Sequence, residues 1–158
     1  MNELINIKNQ LKAINYIYYA LTSGLILFFI ITIYLMENVS YIRSDGLDKY
    51  LNFIIPLFGL LMMFLSRYIY NKMVIGLGAD ADVLRNVVQY RNAKIISWAF
   101  IEGASFLALV AAILTLNYLY IAIFIFLFGY FLLSRSSKES FIKDLRLTSE
   151  QSDKIFKS

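Results

Sequence analysis

An almost unbroken apolar run over residues 95–133 constrains this chain more than any other feature. As a single helix that rises about 1.5 Å per residue, the run would be roughly 58 Å long, about twice the hydrocarbon thickness of a bilayer. The run must therefore turn back on itself. Asn117 is the residue near its middle that best favours a turn, so we predict a tight hairpin at Leu116–Tyr118. Its two arms are spans at residues 95–116 and 118–133.

Two further apolar runs, over residues 14–36 and 51–70, are also long enough to cross a bilayer as helices. The chain is 59% hydrophobic and 16% charged, whereas a soluble domain typically has about 45–50% apolar and about 25% charged residues. We therefore predict an all-α fold, a four-transmembrane-helix bundle that forms a single membrane domain over residues 1–158. The fourth span is short, and we expect its tyrosine-flanked start and Arg135 to extend it into the interfaces.

The lysines and arginines lie mostly on one side of these spans. Of the 15 in the chain, only Arg43 and Lys49 fall in the connection between the first two spans, and the others lie before the first span, around the loop 71–94 or in the tail 134–158. Loops rich in lysine and arginine stay on the cytoplasmic side of a membrane. We therefore expect a multi-pass protein of the inner (cytoplasmic) membrane, with both termini cytoplasmic and residues 44–49 on the outer side.

The loop between the second and third spans has a helical pattern of its own. Asp80 and Asp82 suit a helix N-terminus, and the residues that follow recur at helical spacing: Val83, Leu84, Val87, Val88 and Arg91. This pattern predicts a short interfacial loop helix that leads directly into the third span.

The tail also has helical signals. Ser136 and Glu139 have the spacing of a capping box, in which a serine and an acidic residue three positions later satisfy free N–H groups. Thr148 and Gln151 have the same spacing. A helical C-terminal tail that lies on the membrane surface is the interpretation we favour over a specific docking motif. Its small apolar face consists of Phe141, Ile142 and Leu145.

The two halves of the chain match each other, in the same order, at three places. Ala20–Gly24 aligns with Ala99–Gly103, and the other matches pair Leu57–Gly59 with Leu127–Gly129 and Leu65–Arg67 with Leu133–Arg135. Apolar sequences also match by chance, so both a duplication and a chance similarity stay open. A true duplication would give two repeated hairpins in parallel, a repeat type found in membrane transport proteins. In this alignment Ser23 is the counterpart of Glu102.

Glu102 is the only acidic residue inside a predicted span. A charge in hydrocarbon costs several kcal/mol on most scales, so an intramembrane carboxyl is a functional candidate by default. Desolvation favours the neutral form, and we expect Glu102 to be at least partly protonated. It could carry a proton or an ion. It could instead bond a hydroxyl and hold two helices together, which we favour; the candidate partners are Ser97, Ser105, Thr22 and Ser23.

Small residues surround Glu102 on its helix. Ala104, Ala108 and Ala111 recur on one face, and Ala99 and Gly103 form a second pair four residues apart. Small residues let helix backbones approach closely, and this contact drives helix association in lipid. The pattern predicts helix packing through these positions, either inside the bundle or between subunits.

The segment Ala99–Ala111 resembles the carboxyl-bearing helix of the proteolipid subunits of rotary ATPases, the c or K subunits. Those subunits carry protons or sodium ions on such a glutamate, in a ring. The resemblance implies that Glu102 is an ion-binding carboxylate. As a whole, the chain resembles the small, uncharacterised four-helix membrane proteins of bacterial genomes.

The chain has no cysteine and no histidine. This composition excludes disulfides, metal sites built from thiolates or imidazoles, and a nucleophile paired with histidine. We expect no enzymatic activity, no catalytic or metal-binding residues, no cofactor and no nucleic-acid partner. The expected partners are the lipid bilayer and either a second copy of the chain or another membrane protein. The function we favour is structural or partner-binding, and the alternative is proteolipid-like translocation of protons or cations through Glu102.

Overall fold

The computed structural model describes residues 2–38, 45–77, 83–149, 152 and 155–156, and this part of the chain is helical and has no strand. The all-α prediction is therefore confirmed. The five helices are α1 (Asn2–Asn38), α2 (Asp45–Ile75), α3 (Val83–Thr115), α4 (Leu119–Leu133) and α5 (Lys138–Asp144).

Three of these helices, α1, α2 and α3, are long and apolar enough to cross a membrane. A fourth crossing is present if α4 and α5, which meet at an angle of 69°, are counted as one bent span. Large apolar side chains cover the outside of the bundle, among them Phe64, which is 68% exposed. A soluble protein rarely exposes so continuous an apolar surface. By length and composition, such helices are typical of a multi-pass membrane protein.

The helix α3 lies at the centre of the bundle and packs against α1, α2 and α4. Its side toward the other helices is rich in alanine, so the neighbouring backbones can come close. Among the described residues α1 and α2 contact each other little, because α3 lies between them. The first two helices therefore do not form a packed hairpin like α3 and α4, and the internal repeat stays a prediction.

The predicted short loop helix is not a separate element. α3 runs without a break from Val83 into the membrane-spanning segment, because no glycine or proline interrupts that stretch. Val87 and Tyr90 on its first turns are fully buried, so this part packs within the protein. Asp80 and Asp82, the predicted N-terminal residues of the loop helix, lie outside the described residues.

The turn between α3 and α4 falls at Leu116–Tyr118, the residues predicted for it. Leu116 has a φ of 54° and donates its N–H to the Ala112 carbonyl at 2.8 Å, as in a left-handed helix C-cap. The Asn117 side chain accepts from the Leu119 N–H at 2.9 Å and donates to the Asp48 carboxylate at 3.1 Å. Asn117 therefore fastens this turn to the start of α2.

The tail packs against one end of the bundle, and its position on the membrane surface stays a prediction. Phe141 and Leu145 are buried, since the apolar face of α5 packs against the end of the bundle. The N-cap residue of α5 lies one position after the predicted one. It is Ser137, whose side chain accepts from the Ser140 N–H at 3.1 Å. Ser136 instead lies 2.7 Å from the Tyr90 hydroxyl. Gln151, in the second predicted capping pair, lies outside the described residues.

Candidate functional site

Glu102 lies on α3, half-buried, between the fully buried Ile101 and the exposed Gly103. Within the part of the chain that the structure describes, its carboxyl forms no hydrogen bond and no ion pair. Among the described residues the side chain is therefore not part of a hydrogen-bond network inside the bundle.

The four hydroxyls predicted as partners of Glu102 are engaged elsewhere. Three of them donate to the backbone carbonyl four residues earlier on their own helices, as serine and threonine often do in transmembrane helices. These are Thr22 to Tyr18 at 2.7 Å, Ser23 to Tyr19 at 2.8 Å and Ser105 to Ile101 at 2.8 Å. The fourth, Ser97, lies 2.7 Å from the Ser66 hydroxyl of α2.

The two groups of small residues on α3 have different surroundings. Ala104, Ala108 and Ala111 are buried and pack inside the bundle. Ala99 and Gly103 are exposed, and a Cβ added at Gly103 would meet nothing within 4 Å. We call Ala99, Glu102 and Gly103 together the outer α3 face. It combines the only carboxyl of the predicted spans with an open surface of small residues.

A second polar site lies where α2, α3, α4 and α5 meet, and sequence reasoning missed it. A cavity of about 470 Å³ opens there between the ends of the helices. Four cationic side chains line it together with one carboxylate, Asp144; they are Arg67, Lys94, Arg135 and Lys143. We call this the basic cavity. Four serines, an asparagine and two tyrosines also line it: Ser97, Ser134, Ser137, Ser140, Asn71, Tyr70 and Tyr130.

Lys94 is the most deeply placed cation of the basic cavity, with only 8% of its surface exposed. Its ammonium lies 4.5 Å from the centre of the Tyr70 ring and 5.7 Å from that of Tyr90, and it donates to the Ser134 carbonyl at 3.4 Å. Burial lowers the pKa of Lys94, an effect that the Asp144 carboxylate partly offsets. Within the described part of the chain, aromatic faces and a carbonyl therefore hold this cation without a paired carboxylate.

Two tyrosines link the tail to the bundle beside this cavity. The Tyr70 hydroxyl donates to the Asp144 carboxylate. The Tyr90 hydroxyl lies 2.7 Å from Ser136 Oγ and 3.2 Å from Ser140 Oγ. Burial raises the pKa of Tyr90, so it stays a neutral hydroxyl at physiological pH. The carboxylate of the cavity is therefore already engaged, and the cations are not neutralised by it alone.

The basic cavity is invisible in the linear pattern because its cations come from four different segments. Arg67, Lys94 and Arg135 each have the ordinary position of a lysine or arginine at the end of a span, and Lys143 is one of several lysines in the tail. Two features of the sequence could have indicated the cavity. Lys94 and Ser97 share one face of α3, and the start of the tail is rich in serine. Among the described residues, no group of three or more carboxylates is placed to hold a metal ion.

Comparison of the chain with protein-family models, curated proteins and solved structures finds no match.

Proposed function

We propose that this chain is a non-enzymatic, four-span membrane protein that acts by binding a second copy of itself through the outer α3 face. The observation that carries the proposal is that Glu102 has no partner among the described residues and adjoins the exposed Ala99 and Gly103. The lysines and arginines at the basic ends of the helices favour a cytoplasmic location for those ends.

A bilayer favours helix association through a surface of this kind. Lipid tails are as apolar as leucine, so close packing over small residues and hydrogen bonds between helices drive association there. A carboxyl in hydrocarbon costs several kcal/mol unless its polar atoms are satisfied. In a two-fold dimer the same patch meets itself, so two protonated Glu102 side chains can bond each other. A second copy therefore supplies the missing partner without a further component.

Disulfide trapping tests this proposal, since the chain has no native cysteine. Ala99→Cys should give a covalent dimer when the protein is oxidised in liposomes at low protein density. Phe64→Cys is the matched control: it is also exposed, and it lies at a similar depth, because Ser66 of α2 contacts Ser97 of α3. Equal trapping at both positions, or none at Ala99→Cys, would contradict the proposal.

Proton or cation translocation through Glu102 is the alternative that the same unpaired carboxyl supports. Glutamine keeps the shape and the hydrogen bonding of glutamate but cannot carry a proton. Under our proposal Glu102→Gln still dimerises, Glu102→Leu dimerises more weakly, and wild-type proteoliposomes pass no more protons than those with Glu102→Gln. A proton flux that Glu102→Gln abolishes would establish the alternative instead.

A further inference from the structure

We propose that the basic cavity binds the phosphate group of an anionic ligand, and that this ligand is a phospholipid whose headgroup enters the cavity while an acyl chain lies between α2 and α4. The inference is independent of the proposed dimer, because the cavity lies at the helix ends and shares no residue with the outer α3 face.

The charges of the cavity favour an anion. Four cations face one carboxylate, and that carboxylate already accepts from the Tyr70 hydroxyl. Within the described part of the chain, none of the four cations forms an ion pair. Charge-assisted hydrogen bonds from lysine and arginine are the strongest that a phosphate receives. Arg135 donates to the Tyr19 hydroxyl at 2.8 Å, so among the described residues the cations left for a phosphate are chiefly Arg67, Lys94 and Lys143.

Lys94 is the most buried cation of the basic cavity. Only 8% of the residue is exposed, and its ammonium makes one long hydrogen bond of 3.4 Å, although an ammonium has three donors. A buried cation is costly unless it is paired. The phosphate would supply this pairing, while Ser137 and Ser140 offer neutral donors from the α5 side.

The size and the surroundings favour a lipid over a small solute. The volume of about 470 Å³ lies in the range of ligand pockets and is larger than an inorganic phosphate would fill. Leu133, on the cavity wall, is 86% exposed, so the wall adjoins the surface where lipid tails would lie. Basic pockets between membrane helices on the cytoplasmic side are typical headgroup sites.

A second cavity forms a groove between α2 and α4 and lies nearer the middle of both helices than the basic cavity does. It has a volume of about 330 Å³ between α2 and α4, and its wall is almost wholly apolar: Pro56, Gly59, Leu60, Met63, Ala122, Ile123, Phe126 and Leu127. Its last residues precede those of the basic cavity by about one helical turn, Met63 before Arg67 and Leu127 before Tyr130. A headgroup in the basic cavity would therefore place an acyl chain in this groove.

The test is a lipid titration of the full chain in detergent, read by native mass spectrometry. Dioleoyl phosphatidylglycerol is the anionic probe, dioleoyl phosphatidylcholine the zwitterionic reference, and inorganic phosphate the soluble competitor. We expect the anionic lipid to bind in preference to the zwitterionic one. The double variant Arg67→Gln, Lys143→Gln should weaken that binding about tenfold or more, since each substitution removes one charge-assisted bond. Both side chains are exposed, so the variant should keep its fold.

The single variant Lys72→Gln is the control, because it removes an exposed cation of α2 that does not line the cavity. It should bind the anionic lipid like the wild type, and excess inorganic phosphate should compete. Binding of phosphate without binding of lipid would overturn the lipid assignment. Absence of both, or an equal loss in Lys72→Gln, would overturn the site itself, because surface charge alone would then explain the binding.

Discussion

Replacing Phe141 with alanine tests whether the tail belongs to the fold. The Phe141 ring is 1% exposed and meets Tyr90 and Phe156 edge to face, with ring centres 5.3 and 5.9 Å apart. Truncating a buried phenylalanine costs about 3–5 kcal/mol, to which each aromatic pair contributes about 0.5–1.5 kcal/mol. Because α5 packs only at one end of the bundle, we expect this loss to weaken tail docking and to leave the membrane helices intact.

A loss of about 3 kcal/mol raises the population of undocked tail roughly 100-fold. Hydrogen exchange in nanodiscs measures this population through the tail amides. The Leu145 N–H bonds to the Phe141 carbonyl and the Leu147 N–H to that of Ile142, both at 3.1 Å. In Phe141→Ala these amides should exchange at least about 100-fold faster, up to the rate of an open chain. The control Phe126→Ala removes a ring that is 59% exposed on α4. Equal tail exchange in both variants would refute the docking argument.

Three further predictions concern the polar contacts at the same end of the bundle. Tyr90→Phe removes a buried hydroxyl that bonds two serines, so thermal unfolding should reveal a loss of about 1 kcal/mol. A double-mutant cycle with Ser66→Ala and Ser97→Ala should give a coupling free energy of about 0.5–1 kcal/mol from unfolding midpoints, and no coupling would contradict the shared bond. Burial lowers the pKa of Lys94 in the folded state. At pH values between that pKa and the ordinary lysine pKa of about 10.4, the unfolded chain therefore binds more protons than the folded one. Stability should therefore rise with pH across that window, and Lys94→Met, measured by thermal unfolding beside the wild type, should lack the rise.

The positions of the apolar helices and of the α3–α4 turn follow from the sequence, because an apolar run twice as long as the membrane is thick has to fold back. Asn117 then marks the place, since its short amide can bond both the next helix and the facing Asp48. The ends of the helices do not follow in the same way. Hydropathy marks where lipid begins, whereas α1 and α3 continue until something breaks the helix, and no glycine or proline does so near those boundaries.

Neither the orientation of α3 nor the basic cavity could be predicted. Two groups of small residues lie on different sides of α3. The sequence cannot decide which side faces the bundle, because lipid and protein interior are equally apolar. Only tertiary packing separates the buried Ala104 from the exposed Gly103. The cavity likewise depends on contacts between distant segments, such as the hydroxyl of Tyr70 and the carboxylate of Asp144.

Whether the chain crosses the membrane four times, with its basic end in the cytoplasm, decides the rest of the account. The crossing by α4 most needs a direct test, because the helix has 15 residues and is only about 22 Å long. Labelling of single cysteines in intact spheroplasts with an impermeant maleimide tests it directly at Asn9→Cys, Ser44→Cys and Ser149→Cys. We predict that only Ser44→Cys is labelled, and that the other two react after permeabilisation. Labelling of Ser149→Cys with Asn9→Cys protected would mean three crossings, and labelling of both with Ser44→Cys protected would mean an inverted protein.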